Sequence, residues 1–515
     1  MKKLLLLCFT SSTYFLMAQS PGDSLFNDTI VHTIDINFSQ GNYWTLLSDN
    51  KSNDDANGTS SYIPATLSID GQQLDSVGIQ FKGNSSYYNY PTNKKPFTLS
   101  FNEYISGQKY NGLKNINLNN LYQDPSFMRE KLFLDFCQEK DINAPRANYA
   151  KLYINGTYWG LYLMVERINK VFLKDRFDDN DGNLFKGDKG SPPCADLKYQ
   201  GQSASSYYNC YDLKTNETTN DWTDLVNLTE KINNTSDTEF NDTLDAVMNT
   251  GSFISAWAAY NLFVDFDSYP YRFIHNYYIY HDSTTNKFEW IVWDASTAFG
   301  LDVPGTISSV EATSVLYITP SASDRPLVNR MLADSTYRDA YLQTVCSFAN
   351  NDFLPSVLNP KIDLLYNRIK NDVYTDPLKM YSNIDFDTNI DSDNGSTPGL
   401  KSFIMNRSAN VLNELNILNY TGCPAITASV SENSLTTQQV SVYPNPAWNS
   451  IHVYSNNKQP VVFELYTATG TKILVETITD YNSEISISEL SIGMYYYRIV
   501  LTNNEVNSGK LMISY

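Results

Sequence analysis

Four side chains offer hard oxygen donors at places where a polar group is costly unless it is paired or used. Asp265 and Asp267 end the apolar run Trp257 to Val264, Asn276 opens one strand of a β pair, and Asp294 closes the other directly after Trp293. A hairpin brings Asn276 and Asp294 to neighbouring strand ends, and the preceding loop can drop Asp267 beside them. Two carboxylates with an amide oxygen form a set that holds Mg²⁺ while substrate phosphates complete its shell. The competing reading is structural, with a carboxylate capping a turn or pairing with Arg272. Other candidates are weaker. His275 adjoins Asn276 and could hydrogen-bond a phosphate, although a histidine on a strand edge is more often a surface residue. Asp178-Asp179-Asn180-Asp181-Gly182-Asn183 and Asp391-Ser392-Asp393-Asn394-Gly395 lack the EF-hand register and its closing Glu, so they read as Asx-rich turns.

The elements that must position these groups follow from pattern. Tyr62 to Ile69 and Asp75 to Phe81 alternate around Asp70-Gly71, a strong hairpin signal. A polar loop, Lys82-Gly83-Asn84-Ser85-Ser86, precedes a strand from Lys94 to Phe101. Asp124-Pro125 caps a helix reaching Lys140, with Met128, Leu132, Phe133 and Phe136 on one face. A second hairpin, Asn148 to Ile154 and Tyr158 to Val165, turns at Asn155-Gly156. After Gly251 the pattern is mostly helical: Phe253 to Phe263, Leu327 to Ala349, Lys361 to Val373 and Leu400 to Leu418. Between them lies the β pair Asn276 to Tyr280 and Phe288 to Trp293. Strands first and helices later predict an α+β domain of two lobes.

Charge narrows the function classes. The 515 residues carry 37 Lys+Arg against 56 Asp+Glu, a net charge of −19, which excludes nucleic acid as a general partner. Tyrosine dominates the aromatics, 38 against 25 Phe and 7 Trp, and suits wet, half-buried surfaces. Met1-Lys2-Lys3, the apolar residues up to Met17 and then Ala18 read as a removable signal peptide over residues 1–18. No later stretch reaches the roughly 18 uninterrupted apolar residues of a membrane span, so an exported mature chain without a transmembrane segment is expected. Cys194 and Cys210 bracket a polar loop and could close a local disulfide, whereas Cys137 reads as a buried thiol. No Cys/His spacing suggests zinc, and no carboxylate pair has the context of a glycoside hydrolase.

Composition breaks after Cys423-Pro424, where residues 424–439 read as a Ser/Thr/Gln/Asn linker. Beyond it, short alternating runs separated by turn residues predict a small all-β sandwich over 440–515. Tyr443-Pro444-Asn445-Pro446, the turn at Gly470, Leu490-Ser491-Ile492-Gly493-Met494-Tyr495 and Gly509-Lys510-Leu511 resemble the C-terminal sorting domain of the Bacteroidetes type IX secretion system. The resemblance implies that this secretion machinery is a partner. It further implies export through the periplasm and a secreted or outer cell-surface location.

Residues 19–423 remain as the working part. A Gly-containing loop, a lysine on a strand (Lys95), a helix and a hairpin are followed by an Asp, an Asn and a second Asp. Kinases use that order of roles to activate an acceptor and hold metal against a clamped nucleotide. Phe81-Lys82-Gly83-Asn84-Ser85-Ser86, Lys95-Pro96-Phe97, Asp124-Pro125-Ser126 with Arg129, Asn155-Gly156-Thr157-Tyr158-Trp159-Gly160 through Glu166, Gly182-Asn183-Leu184-Phe185-Lys186, Asn276-Tyr277-Tyr278 and Trp293-Asp294 resemble the spore coat protein H (CotH) kinase family. The resemblance implies an atypical, two-lobed protein-kinase-like fold using ATP and Mg²⁺ (or Mn²⁺) to phosphorylate Ser or Thr of partner proteins. Carried over, Asp267 is the catalytic carboxylate, with Asp265 competing for the role. Asn276 and Asp294 are metal ligands and Lys95 is a phosphate-contacting cation, while Glu166 and Lys186 line or brace the nucleotide cleft. One departure stands out: the family commonly has Asp-x-Asp after the tryptophan, whereas Asp294 is followed by Ala295 and Ser296. A hydroxyl is a poorer ligand than a carboxylate. A catalytically inactive relative serving as a surface or envelope binding protein is therefore the alternative expectation.

Overall fold

The computed structural model describes residues 20–190, 194–301, 309–318, 324–420, 440–443, 447–455, 461–467, 471–478, 482–491, 493–500 and 506–513. The signal peptide and linker assigned from sequence lie outside these residues. The chain divides into two compact units, Met1–Ile426 and Thr427–Tyr515.

Seven strands open the first unit: β1 (His32–Asn37), β2 (Ile63–Ile69), β3 (Gln72–Phe81), β4 (Phe97–Ser100), β5 (Asn115–Asn119), β6 (Ala147–Ile154) and β7 (Thr157–Glu166). They close into a barrel in the order β1-β2-β3-β4-β5-β7-β6. The β2–β3 turn is Asp70-Gly71, and Asn155-Gly156 joins β6 to β7 with both φ positive, 49° and 76°, as a tight hairpin demands. Alternation along β6 and β7 gives these strands two apolar faces. Ala150, Leu152, Tyr162 and Met164 fill the barrel, while Tyr149, Leu161, Leu163 and Val165 join the core that the helices share. That double burial explains the unbroken apolar run at the end of β7.

A second, four-stranded antiparallel sheet follows the barrel in sequence. It is built from β8 (Leu184–Gly187), β9 (Asp212–Leu213), β10 (Tyr277–Asp282) and β11 (Lys287–Val292) in the order β11-β10-β8-β9. Helices Thr250–Leu262, Ser335–Asn351, Pro355–Thr375 and Leu400–Ile417 surround it within one apolar core. The unit is therefore α+β. The helix expected from Asp124 begins only at Arg129, because the Asp124 carboxylate accepts from the Arg129 backbone N–H (2.9 Å) and holds the preceding turn non-helical. The helical stretch expected over 327–349 is two helices, Pro326–Ala333 and Ser335–Asn351. Asp334 caps the second through the N–H groups of Thr336 and Tyr337. Tyrosine also behaves differently from the wet-surface expectation. Tyr149, Tyr277 and Tyr341 are fully buried, each donating its hydroxyl to a backbone carbonyl.

The barrel is tied to the helices by Lys94 and Asp376, both without solvent exposure, whose Nζ and Oδ2 lie 2.6 Å apart. The carboxylate also accepts from the backbone N–H of Leu161 on β7 (3.0 Å) and of Leu378 (2.9 Å). Gly160 sits against it at φ +135°, where an added Cβ would lie 2.5 Å from a carboxylate oxygen. In the loop after β9's neighbour β8, Cys194 and Cys210 form the local disulfide, and Cys137 is a free buried thiol.

The second unit contains β12 (Val440–Tyr443), β13 (Ser450–Ser455), β14 (Val461–Thr467), β15 (Lys472–Ile478), β16 (Asn482–Ser486), β17 (Gly493–Val500) and β18 (Val506–Ile513). They form two antiparallel sheets, β12-β13-β16 and β15-β14-β17-β18. Ile451, Val453 and Ile485 of one share a core with Phe463, Leu465, Ile499 and Leu511 of the other, the packing of a sandwich. No helix among the described residues is long and apolar enough to cross a membrane.

Breaking a buried pair leaves an uncompensated charge, which costs about 3–5 kcal/mol. Lys94→Met should destabilise the larger unit by that amount in urea unfolding. The double variant Lys94→Met/Asp376→Asn should recover part of the loss, a non-additivity that an unpaired surface contact would not give.

Candidate active site

The helix Thr250–Leu262 is buried along its length from Ala256 onward, and it delivers the first acidic residues. It ends against Val264, a β-branched residue held at φ 49°. Asn276 (φ 62°) and Asp294 (φ 51°) are left-handed as well. Non-glycine residues in this region carry strain of about 1–3 kcal/mol each and persist where surrounding packing over-determines them. Three such positions border one site.

Asp265 has no solvent exposure. Its Oδ1 accepts from the Thr297 hydroxyl at 2.5 Å, and its buried Oδ2 has no hydrogen-bond partner. Burial, with Asp267 and Asp294 adding their charges, outweighs that bond and lifts the carboxyl to about 8. Asp265 is thus a sealed, largely neutral acid. Asp267, with a fifth of its side chain exposed, is the one of the two that a substrate could reach.

The β10–β11 register pairs Tyr277 with Val292, so Asn276 and Trp293-Asp294 emerge at the same end of the hairpin. The Asn276 amide nitrogen donates to the Asp267 carbonyl at 2.8 Å, which leaves the amide oxygen as the atom able to ligate. Asp294 Oδ1 accepts from the Ser296 hydroxyl at 2.8 Å. Asp267 and Asn276 are thus in direct contact, and Asp294 lies at the same hairpin end as Asn276.

Lys186 lies on β8 opposite Tyr278 of β10, with its amine 5.9 Å from the Trp293 ring centre. It begins a chain of alternating charges. The Lys186 amine bonds Asp188, Asp188 meets His275 Nδ1 at 3.2 Å, and His275 Nε2 meets Asp267 Oδ1 at 2.5 Å. Burial opposes charge on the imidazole, but its bonds to Asp188 and Asp267 more than offset that and raise it to about 10. Burial likewise opposes the Asp188 carboxylate, and Lys186 and His275 hold it down at about 2. His275, read from sequence as a surface residue, is instead an imidazolium orienting Asp267.

Three residues not assigned a role from sequence complete the cluster. Lys82, directly after β3, places its amine 5.6 Å from the other side-chain cation's aromatic partner, Trp293, and donates to Asn119 Oδ1 at 2.6 Å. Asn119 in turn donates to both oxygens of Glu130 at 3.0 and 2.9 Å. Burial first, then the nearby Asp294, raise the Glu130 carboxyl to about 7 despite those bonds and Lys82. Burial lowers Lys82 against the pull of Asp294 and Glu130. The available signal was the charged triplet Arg129-Glu130-Lys131 leading into the apolar run Leu132-Phe133-Leu134, all three charged residues buried.

Two expected site residues lie elsewhere. Lys95 donates to the carbonyls of Tyr87 (2.7 Å) and Tyr90 (3.2 Å), bracing the loop after β3, and has no bond to the cluster. Glu166 is bound by Arg146 and Arg176 at the end of β7. Lys82 thus occupies the place beside Asp294 that sequence gave to Lys95. The Asx-rich turn at 178–183 is structural: Asp179 accepts from Tyr280, Ser283 and Asp181. Among the described residues no group of three or more His, Cys, Asp or Glu is placed to hold a metal ion. The available donors are the carboxylate of Asp294 and the amide oxygen of Asn276. Both are hard oxygens that suit Mg²⁺ or Mn²⁺ when phosphates and water complete the shell.

Two acid–base consequences can be measured by thermal unfolding with divalent ions chelated. Asp265 holds its proton more tightly folded than unfolded, so its burden on stability grows as pH rises from about 4 to about 8. Asp265→Asn should unfold with wild-type midpoint near pH 4 and above it at pH 8. His275 has the opposite sense: its raised folded value makes its contribution complete below about pH 6.5 and lost as pH passes about 10. His275→Gln should therefore be less stable than wild type at pH 6 and equal to it by pH 10.5.

Residues 79–411 match the family model described as CotH kinase protein, and residues 441–514 match that described as the secretion system C-terminal sorting domain. Inner spore coat protein H of Bacillus subtilis (strain 168) is 28% identical over 360 residues, covering 69% of this chain and 91% of its own length. The crystal structure of the Helicobacter pylori proinflammatory kinase CtkA aligns over 72% of this chain and 94% of its own, at 11% identity and a TM-score of 0.23. The sorting-domain match points to export by the corresponding secretion machinery.

Proposed function

Because the chain belongs to the CotH kinase protein family, we propose that it is an exported protein kinase, transferring the γ-phosphoryl group of ATP to Ser or Thr hydroxyls of partner proteins. The observation that carries this reading is the gathering of Lys82 and Lys186 around the Trp293 ring. They stand at the hairpin end that bears Asn276 and Asp294, with Asp267 bonded to Asn276. In a chain of net charge −19, two amines gathered at one ring beside an acidic hairpin end suit a polyphosphate better than any neutral ligand.

Each residue then has a role. Asp267, held by His275 at one oxygen and by Asn276 at its carbonyl, receives the proton of the acceptor hydroxyl. Asn276 and Asp294 would hold Mg²⁺ or Mn²⁺, whose charge, when bound, offsets that of the phosphate oxygens. Lys82 and Lys186 contact phosphate oxygens. Asn119, itself bonded to Glu130, fixes the Lys82 amine. The sorting tail supports delivery to the outer cell surface or the medium, where acceptors would be co-exported proteins.

A second reading has its own observation. Ser296 stands where the family commonly has a second carboxylate and donates to Asp294, so an ion held here would have fewer charged ligands. An idle relative that binds a surface partner would look the same there. Transfer of labelled phosphate from [γ-³²P]ATP to the protein itself and to co-secreted proteins, with Mg²⁺ and Mn²⁺ compared, separates the two. Wild type should label, Asp267→Asn and Asp294→Ala should lose at least about 100-fold, and the exposed Asp242→Ala should not. Absence of labelling in wild type would favour the idle binder.

A further inference from the structure

Two cavities border the chain segment that runs through and beyond β9, and Glu217 lines both. The segment is held for local reasons. Asn216 and Asn220 are left-handed, at φ 54° and 48°, and the Asn220 N–H closes a turn onto the Asn216 carbonyl at 3.0 Å. The Asn216 amide donates to the Asp181 carbonyl at 2.7 Å, and the Thr215 hydroxyl to that of Gly182 at 2.9 Å. Glu217 is thereby presented from a fixed turn.

The smaller cavity, about 320 Å³, is walled by aromatic rings. Tyr208 and Trp222 pack with ring centres 4.7 Å apart, and Asn220 joins them, accepting from the Trp222 indole N–H at 2.8 Å and donating to the Tyr208 hydroxyl at 3.4 Å. Lys189 and Asp212 stand on the same wall as an ion pair at 3.1 Å. The larger cavity, about 560 Å³, has one wall from the barrel and one from residues 214–218. Its walls are joined where Asn169 donates to Asn115 Oδ1 (2.8 Å) and Lys170 to Asn216 Oδ1 (3.2 Å). Asn102 and Lys114 on the barrel side, and Glu217 and Thr218 opposite, make no side-chain hydrogen bond or ion pair with any described residue.

This mixture narrows the ligand class. Glu103, Asp212 and Glu217 would repel a polyanion, and Lys114, Lys189 and Lys214 a polycation. Amides, amines and carboxylates side by side supply donors and acceptors together, as a hydroxyl group requires, because it both gives and takes a hydrogen bond. The half-buried Tyr208 ring suits the apolar face of a sugar. Both volumes fall within the ~300–1,000 Å³ of small-molecule sites. We propose that residues 211–220 form the floor of a carbohydrate site for a neutral oligosaccharide, one ring lying against Tyr208 and the next in the amide-lined cavity, with Glu217 bonded to both. The site goes beyond the phosphotransfer reading and does not require it. β9 sets Asp212 opposite Lys186 of β8, so the glycan would bind one strand away from the candidate active site.

A glycan array probed with the mature full-length protein, followed by calorimetric titration of the retained glycan, tests this. At least one neutral glycan should be retained, and its trisaccharide should bind at least about tenfold more tightly than its monosaccharide, because only the longer chain reaches both cavities. Glu217→Ala should weaken binding by about tenfold and Asn102→Ala by about threefold. Neither side chain has a partner to lose, so both variants should unfold at the wild-type midpoint, which separates lost binding from lost folding. Tyr208→Ala should weaken binding while Tyr208→Phe retains most of it, and the exposed Asp242→Ala should bind as wild type does. Retention of no neutral glycan, equal affinity for monosaccharide and trisaccharide, or wild-type affinity in Glu217→Ala would overturn the proposal. Glycan binding without any phosphate transfer would leave it standing while the kinase reading falls, and transfer without glycan binding would do the reverse.

Discussion

An amine and a carboxylate with no access to water, Lys94 and Asp376, hold the strand barrel against the helices. Two charges taken out of water are worth keeping only when every remaining donor and acceptor is satisfied. That condition is met by the N–H groups of Leu161 and Leu378 on the carboxylate and by the rings of Phe127 and Tyr162 facing the amine. The arrangement also dictates sequence at a distance. Residue 160 must lack a side chain because the carboxylate occupies the space a Cβ would take. β7 is thereby locked at one end. The position of the barrel relative to β8, β10 and the acidic hairpin depends on this lock.

Around Trp293 the molecule interleaves charges of both signs in a nearly dry setting. Acids there are pushed toward their neutral forms, as at Asp265 and Glu130, and Lys82 is pushed the same way by burial. Where direct partners exist, as along Lys186, Asp188, His275 and Asp267, the opposite happens and each group keeps its charge. Strongly perturbed groups of both kinds, concentrated around one ring and bordered by left-handed Asn276 and Asp294, are the pattern on which the proposed site rests. The remaining stability of the unit comes from the large aromatic and aliphatic core that surrounds it.

Much of this was legible in the sequence, and what was not has identifiable physical causes. Both Asp-Gly and Asn-Gly hairpins, the β10–β11 pair and the buried helix before Asp265 follow from local pattern, and so does the meeting of Asn276 with Asp294. The disulfide and the buried Cys137 were also readable. Strand β1 and β5 were not, being short segments whose place depends on partners far along the chain, β6 for the one and β7 for the other. Helix Tyr43–Asn57 shows almost no apolar face and buries only Leu47 and Lys51. In the site, Lys82 was hidden because a lysine at a strand end looks like any solvated residue. Its importance appears only when Asn119 and Glu130, which lie 37 and 48 residues later in sequence, close around it. Lys95, by contrast, had the expected strand context but a local carbonyl pair claims its amine.

One feature of the barrel governs the order in which the chain can assemble. Its seam joins β1 to β6 as a parallel pair, Ile34 beside Leu152, while every other neighbouring pair is antiparallel. A chain that emerges from a translocation channel amino end first therefore presents β1 with one unsatisfied edge until more than a hundred further residues have arrived. Ring closure is a late event by construction. The cleft comes later still, because its acidic residues extend to Asp294 and the barrel's anchor to Asp376.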